Sequence, residues 1–455
     1  MHPSLTDTPT PRRAATVHFP GEPGYDAART PWNLAVDQRP AAVAVPRSVA
    51  EVIDVVTAAV ARGLRIAPQS TGHGAAALGE QPLDDVMLLR LDELTGVEVD
   101  AEAHVARVLG GTLWQDVVAA AAAHGLTAAH GSAGDVAVAG YVLGGGLSFY
   151  GREHGLASSH LRAVELVTAD GTLVRATADE HADLFWAVKG GGGNFGVVVA
   201  MEIALLPIAD VVAGMLLWDL SRAEEVTRTW AEWTAELPES VTTSLRYMRF
   251  PPLPELPPFL SGRSLVVIDG AVLEDDDRAA ELLAPLRALA PEMDTFSRIP
   301  AAGLLAVHMD PPAPVPSVSD HAILRELPPA AIGALLAVAG PGVETPLMFA
   351  ELRHLGGALA RPQDAALDRL DGEYALYAIA VAPTPEIAAI GTAATSEVVA
   401  ALRPWSTTRT YLNFVDRSVD VATGFDAAAW DRLGEIRRSV DPAGVWVAAH
   451  PVGAR

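Results

Sequence analysis

The stretch "IAPQSTGHGAAALG", residues 66–79, sets His73 between two glycines at the end of a hydroxyl-rich turn. Three chemistries suit such a residue. Glycines free the backbone to present N–H groups to an anion, so Gln69, Ser70, Thr71, Gly72 and Gly74 read as a phosphate-binding turn. An imidazole is also a common metal ligand, and it is a nucleophile able to tether a cofactor. Two further segments, "GSAGDVAVAGYVLGGGLSFYGREHGLA" and "GGGGNFGVVV", share the glycine content. Three such segments, the first holding a histidine, favour a large diphosphate-bearing cofactor over an isolated tight turn.

Several alternatives fall away. His124 and His130, or His154 and His160, are six residues apart, which is not a helical ligand spacing, so no metal site is expected. Gly191, Gly193 and Gly196 match G-x-G-x-x-G, but a helix precedes them and a strand follows, the reverse of a dinucleotide fingerprint. Neither a P-loop nor a G-x-S-x-G nucleophile elbow is present. The chain has no cysteine, which excludes disulfides, thiolate metal sites and cysteine nucleophiles.

The elements that must position these residues follow from capping and periodicity. "AAVAVP" reads as a strand, and Ser48 with Glu51 forms a capping box before the helix "VIDVVTAAVA". The strand "LRIAP" then leads into the His73 turn. Thr112 with Gln115 reads as a second capping box before "LWQDVVAAAAAH". "AVELVTA", "TLVRAT" and "GVVVAMEIALL" read as strands around the helix "DEHADLFWAVKG". Past Pro207 the pattern changes. "VVAGMLLWDL", "RSLVVIDGAVL", "MFAELRHL" and "YALYAIAVA" alternate with helices such as "RAEEVTRTWAEWTAEL", which predicts an antiparallel sheet covered by helices on one face. "FPPLPELPPFL" and "DPPAPVPSVSD" read as proline-rich loops. The tail from Tyr411 reads as one strand-like piece and the helix "DAAAWDRLGEIRRSV".

The chain has 455 residues, enough for two domains, and a net charge of -24. That charge argues against nucleic-acid and anionic-membrane partners, which require clustered Lys and Arg. No secretory signal opens the sequence, and no apolar run reaches the ~18 residues of a membrane span. A soluble, cytoplasmic protein is expected.

"APQSTGH", "GYVLGGGLSFYGREHGLA", "VELVTADG", "DLFWAVKGGGGNFGVV", "TYLNF" and "VDPAGVWVAAHP", in this order, resemble the FAD-linked oxidases of the p-cresol methylhydroxylase/vanillyl-alcohol oxidase superfamily, and among them the berberine-bridge-enzyme-like proteins. The resemblance implies an α+β chain: a two-lobed FAD-binding domain plus an antiparallel-sheet substrate domain. The expected boundaries are a tail over 1–15, the FAD domain over 16–207, the substrate domain over 208–407, and a segment 408–455 that completes the FAD domain. It implies a covalent bond from His73 to the flavin 8α-methyl group, with Gln69–Gly72 around the pyrophosphate. The usual loop is closer to R-[GS]-G-G-H, so Gln69 and Thr71 depart from it. Many relatives add a cysteinyl tether, which here falls on Ala133; the flavin is therefore expected to carry a single link.

By the same resemblance Asp135, Gly140, Gly144, Gly145 and Ser148 would pack against the cofactor. Gly155 and Leu156 would line its adenosine end, and Val198 would meet it through the backbone. Val136 falls at the gatekeeper position beside the carbon that O2 attacks, where valine resembles the oxygen-reactive form. The implied reaction is oxidation of an alcohol, from secondary metabolism or carbohydrate-like, with reoxidation by O2 to H2O2; a dehydrogenase using another acceptor is the alternative, and a non-redox scaffold a third. Tyr411 and Asn413 fill the family pattern Y-x-N-[YF]. An ordinary phenol, with a pKa near ~10, needs a cationic or hydrogen-bonding neighbour to act as a base. Glu351, Arg353 and Tyr374 are candidates on the roof sheet. Glu351 and Arg353 share one strand face, where a solvent-side ion pair is the competing reading. Tyr374 and Tyr377 face opposite ways, so at most one reaches the pocket. His450 resembles a position near the ring.

Overall fold

Ser48 turns the strand Ala42–Val45 into the helix Val49–Ala61. Its hydroxyl accepts the Glu51 N–H at 3.2 Å, and the Glu51 carboxylate accepts the Arg47 N–H at 2.8 Å. Val52, Val55, Val56 and Ala59 form the buried stripe of that helix. The computed structural model describes residues 14–254 and 256–453; most of the expected tail lies outside the described residues.

The first lobe is a four-stranded sheet in the order Thr16–His18, Ala42–Val45, Val86–Arg90, Arg65–Gln69, parallel except for its first strand. The C-terminal segment joins it: Ile66 donates its N–H to Val445 and accepts from Val447, each at 2.8 Å. The second lobe is an antiparallel five-stranded sheet, Val97–Asp100, Val105–Leu109, Val197–Ala204, Leu161–Val167, Leu173–Ala176.

Residues beyond Pro207 build an eight-stranded antiparallel sheet. Its long strands run in the order Asp210–Asp219, Ser264–Val272, Val241–Arg249, Leu347–His354, Tyr374–Val381, with Ser317–Leu324 at the edge. Alternation divides it cleanly. Leu245, Tyr247, Leu352, Tyr374 and Leu376 face a helical layer that includes Ala223–Ala235 and Pro329–Ala339. Met248, Phe349, Tyr377 and Ile379 face the other way, toward the two lobes.

Three local expectations are corrected. Thr112 does not cap the helix Trp114–Ala122, whose N-cap is Leu113. The Thr112 hydroxyl instead donates to the Gly96 carbonyl at 2.9 Å and accepts its N–H at 3.0 Å, a pairing between segments that outcompetes the local cap. The loop "DPPAPVPSVSD" ends at Pro316, where the prolines stop; Ser317 opens a strand paired with Val381. Leu412–Phe414 is a 3-10 turn rather than a strand.

Trp230 is fully buried between the helical layer and the roof sheet, its ring 5.4 Å from that of Tyr374. Trp230→Ala is expected to lower unfolding free energy by about 3–5 kcal/mol in denaturant titration, the usual cost of removing a large core ring. A loss under ~1 kcal/mol would contradict this packing.

Candidate functional site

A cavity of about 530 Å³ opens where the roof sheet faces the two lobes. Its size suits a small molecule or cofactor. The floor is made of the three glycine segments. After the strand Arg65–Gln69 the chain turns through Gly72 at φ +83°, where an added methyl would strike Pro31. Among the described residues, the N–H groups of Thr71, Gly72, His73 and Gly74 donate to no backbone carbonyl. Consecutive free N–H groups in such a turn form an anion cradle. Ser70 lines the cavity, but its hydroxyl is taken by the Gly110 carbonyl at 2.8 Å.

His73 is held from three sides. Trp32 stacks on its ring, with centroids 4.2 Å apart and planes 20° apart. The Thr71 hydroxyl lies 2.8 Å from Nδ1, and Asp135 Oδ1 lies 3.8 Å from Nε2. Burial, only partly opposed by Asp135 and Asp310, pushes the imidazole pKa down to about 4, so the ring is neutral at pH 7.

The second glycine segment contributes Ala133, Val136, Gly140, Tyr141 and Gly144 to the wall. The third contributes Gly190–Asn194. Asn194 is buried; its amide donates to the carbonyls of Gly191 (2.7 Å) and His450 (2.9 Å), and its oxygen accepts from Val452 at 3.0 Å. That clasp fixes the C-terminal segment against the floor.

A flavin's fit can be read from the space itself. A methyl added at Gly74 or Gly140 would meet nothing within 4 Å, and both residues line the cavity. Gln69 Oε1, His73 Nε2, Tyr141 Oη and His450 Nδ1 are buried there without a hydrogen-bond partner. Open glycines, free N–H groups and orphaned polar atoms along one groove suit a flat, polar-edged, diphosphate-bearing group.

The roof carries charge. Arg246 Nη2 bonds Asp269 Oδ2 at 2.6 Å, and His308 Nδ1 lies 2.9 Å from the same oxygen. His308 Nε2 stands 3.3 Å from Glu351 Oε1, which is 3.0 Å from Arg353 Nε. Cross-strand register sets this row: Ser244 opposes both Asp269 and Arg353, and Arg246 opposes Glu351. Burial and Arg246 disfavour a charged His308, but the carboxylates of Asp269, Asp310 and Glu351 outweigh them and raise its pKa to about 9. The protonated ring donates to Asp269 through Nδ1 and carries its Nε2–H 3.3 Å from Glu351, so Arg353 Nη2, 3.2 Å from Nε2, is a neighbour and not a donor to it. Burial alone would raise Glu351; Arg353 and His308 hold it well below the usual carboxylate range. The result is a fixed guanidinium at Arg353, aimed into the cavity and 5.4 Å from the Phe414 ring centre.

Tyr411 and Asn413 reach the cavity, as do Gln69, Ser70, Thr71, Gly72, His73, Gly74, Val136, Gly140 and Gly144. A methyl on Gly144 would collide with the Asn413 amide, so these segments are in direct contact. Other expected residues sit elsewhere. The Tyr374 hydroxyl pairs with Thr234 at 2.7 Å in the helical layer, because strand parity turns it from the cavity; Tyr377 is the tyrosine that lines it. Glu351 is fully buried behind Arg353 and does not line the cavity, and the ion pair is not on a solvent face. Asp135 stands behind His73. Gly145 packs on Leu367 and Tyr411, and Ser148 accepts the Tyr150 N–H at 3.2 Å. Gly155 ends a short helix, Leu156 packs among Leu147, Leu359 and Tyr411, and Val198 lies in the second-lobe core; none of them lines the cavity. Tyr411 is not poised as a base. Burial raises its phenol, more than Asn413 Nδ2 (3.4 Å) and the more distant Arg353 lower it.

Trp32, Asp310 and Asp416 were not singled out from the sequence, nor were Asn194 and the roof residues Arg246, Asp269 and His308. Asp310 follows Met309, a non-glycine at φ +58°, and its buried Oδ2 has no partner. Asp416 accepts from Ser319 and faces the cavity; burial raises its pKa to about 6. Its position two residues after Phe414, in "YLNFVD", was the one available signal.

Residues 40–177 match the model of the FAD binding domain family. That stretch is similar to an FAD binding domain. Glucooligosaccharide oxidase of Sarocladium strictum is 34% identical over 220 residues, 48% of this chain and 42% of that protein. The chain thus matches under half the length of that curated relative. The fold extends further: wild-type Physcomitrella patens BBE-like 1 superposes with a TM-score of 0.83 at 21% identity, covering 97% of each chain. Glucooligosaccharide oxidase from Acremonium strictum, described with a 6-S-cysteinyl, 8α-N1-histidyl FAD, superposes with a TM-score of 0.81 at 22% identity over 96% of this chain and 97% of its own. The chain shares the fold of these two solved structures over nearly its full length.

Gly140 lies in the helix Val138–Leu143. Gly140→Ala is expected to stabilise the flavin-free chain by about 0.5–1 kcal/mol through helix propensity. Its methyl would also occupy cofactor space, so flavin content, read as absorbance per protein, should fall. Full flavin content in the variant would remove Gly140 from the floor.

Proposed function

We propose that this chain is an FAD-dependent oxidase of alcohol-type small molecules, with its flavin linked once, through His73, and O2 as final electron acceptor. The observation that carries this reading is His73, neutral, stacked and set in a turn of free N–H groups facing the cavity. Ala133, at the position where many relatives are expected to carry cysteine, offers no second tether. When bound, the flavin supplies the sink for a hydride and its electron pair.

The protein's part is to bind the substrate and take a proton. Phe349, Tyr377, Ile379, Val381 and Phe414 give the cavity an apolar, aromatic side, which suits a substrate with a ring face. Arg353 offers a fixed cation for its polar edge. Asp416 is the group with the right acidity to accept the hydroxyl proton: ionised at neutral pH, yet close enough to neutrality to be protonated in turn. Tyr411, held as a phenol, donates a hydrogen bond. Val136, half-buried on the wall, favours reaction with O2 over a dehydrogenase.

Purified protein should be yellow and keep its flavin after acid denaturation, and His73→Ala should release it. Colourless protein from a flavin-replete host would sink the reading, and slow reoxidation in air would remove the oxidase label. Protonation silences Asp416 as pH falls, so kcat/KM should drop below about pH 6. Asp416→Asn should lower kcat by about 10²–10⁴-fold and abolish that limb. A retained limb would assign the proton to another group.

A further inference from the structure

His73 has a neighbour that substrate chemistry does not use. Asp135 lies outside the cavity lining, with one carboxylate oxygen 3.8 Å from His73 Nε2 and the other accepting the Trp32 indole N–H at 2.6 Å. Trp32 in turn stacks on His73 and donates its backbone N–H to the Thr71 carbonyl at 2.9 Å. His73 Nε2 is buried and without a hydrogen-bond partner. Trp32, Asp135 and the His73 turn come from three separate parts of the chain, and all three close on one imidazole.

We propose that Asp135, oriented by Trp32, is the positioning residue for flavin attachment: it holds the Nε2 proton of His73 and so directs the Nδ1 lone pair to the flavin methyl carbon. The proposal rests on His73 being the tether. The logic is that of a carboxylate fixing a histidine tautomer, with a second group fixing the carboxylate. The charged groups that act on His73 are Asp135 and Asp310, and only Asp135 is within 4 Å of the ring nitrogens. With Nε2–H turned to Asp135, Nδ1 is the unprotonated nitrogen, and the Thr71 hydroxyl at 2.8 Å donates to it until the flavin displaces that contact.

The step balances. The Nδ1–C8α bond forms, and one methyl C–H breaks with loss of its proton. The flavin ring gains two electrons, and the Nε2 proton passes to Asp135. O2 then removes the two electrons and takes up two protons, leaving as H2O2 and returning the ring to its oxidised form. The group left on His73 is a neutral, singly substituted imidazole.

The test uses the full chain purified from a flavin-replete host. Total flavin is measured by absorbance after proteolysis. Covalent flavin is measured by fluorescence of the acid-washed denatured band and by intact mass. Asp135→Asn should keep wild-type total flavin while its covalent share falls about tenfold or more, the scale on which an orienting partner acts on its histidine. Asp135→Glu should restore part of it. Trp32→Phe keeps the stack but loses the N–H, and should show a smaller fall. A wild-type covalent share in Asp135→Asn overturns the proposal while leaving His73 as tether; absence of covalent flavin from the wild type overturns the tether itself. If Asp135→Asn fails to hold flavin or to fold, Trp32→Phe decides: a wild-type covalent share there overturns the role of the pair, and a reduced share at full total flavin supports it.

Discussion

The two hydrogen bonds between Ile66 and the segment Val445–Val447 are the constraint on which the rest depends. They join residues from near the two ends of the chain, and they do so at the strand that delivers His73. Without them the Gln69–Gly74 turn would have no wall opposite it. Asn194 repeats the device from the third glycine segment, fastening its turn to His450 and Val452. The cavity is thus a product of chain closure: its floor exists only when the C-terminal segment has docked. The entropic cost of closing a loop grows only logarithmically with its length, so a few backbone bonds and the burial of Trp446 and Val447 can hold it.

The roof follows a different rule. Arg246, Asp269, His308 and Glu351 are buried together, an arrangement that seldom adds net stability over apolar packing. Its structural effect is directional. Each member stands against the next, and the last link, Arg353, cannot swing away from the cavity without giving up its pairing with the buried Glu351 carboxylate. The row thereby converts cross-strand register into a fixed charge at one point of the site. Asp416 contrasts with it: its neighbour Arg417 pairs with Asp320 at 2.8 Å, and among the described residues no cation pairs with Asp416, so it stays near its titration point.

Much of this was legible in the sequence, for local reasons. The Ser48 cap, the helix after it, the composition change near Pro207 and the glycine segments all express short-range physics, and each appears in the structure. The His73 turn was legible because glycine content and a lone histidine are conspicuous. What the sequence hid was whatever depends on distant pairing. Thr112 looks like a cap until Gly96 is placed beside it. Tyr374 and Tyr377 are distinguishable only once strand parity is tied to a known inner face. Trp32 and Asp135 are 103 residues apart and inconspicuous singly; only the fold makes them neighbours of one imidazole. Asp310 and Asp416 are common surface residue types in an acidic chain, and apart from the place of Asp416 just after "YLNF" nothing local marks them as lining a cavity.

The strand Tyr374–Val381 shows what this architecture permits over longer spans of time. Tyr374, Leu376 and Ala378 belong to the helical layer, while Tyr377, Ile379 and Val381 belong to the cavity. Stability and molecular recognition are therefore written on alternate letters of the same word. Substitutions at the cavity-facing positions can change what the roof accepts while leaving the packed layer untouched. Single changes at these positions therefore need not pass through forms whose packed layer is broken.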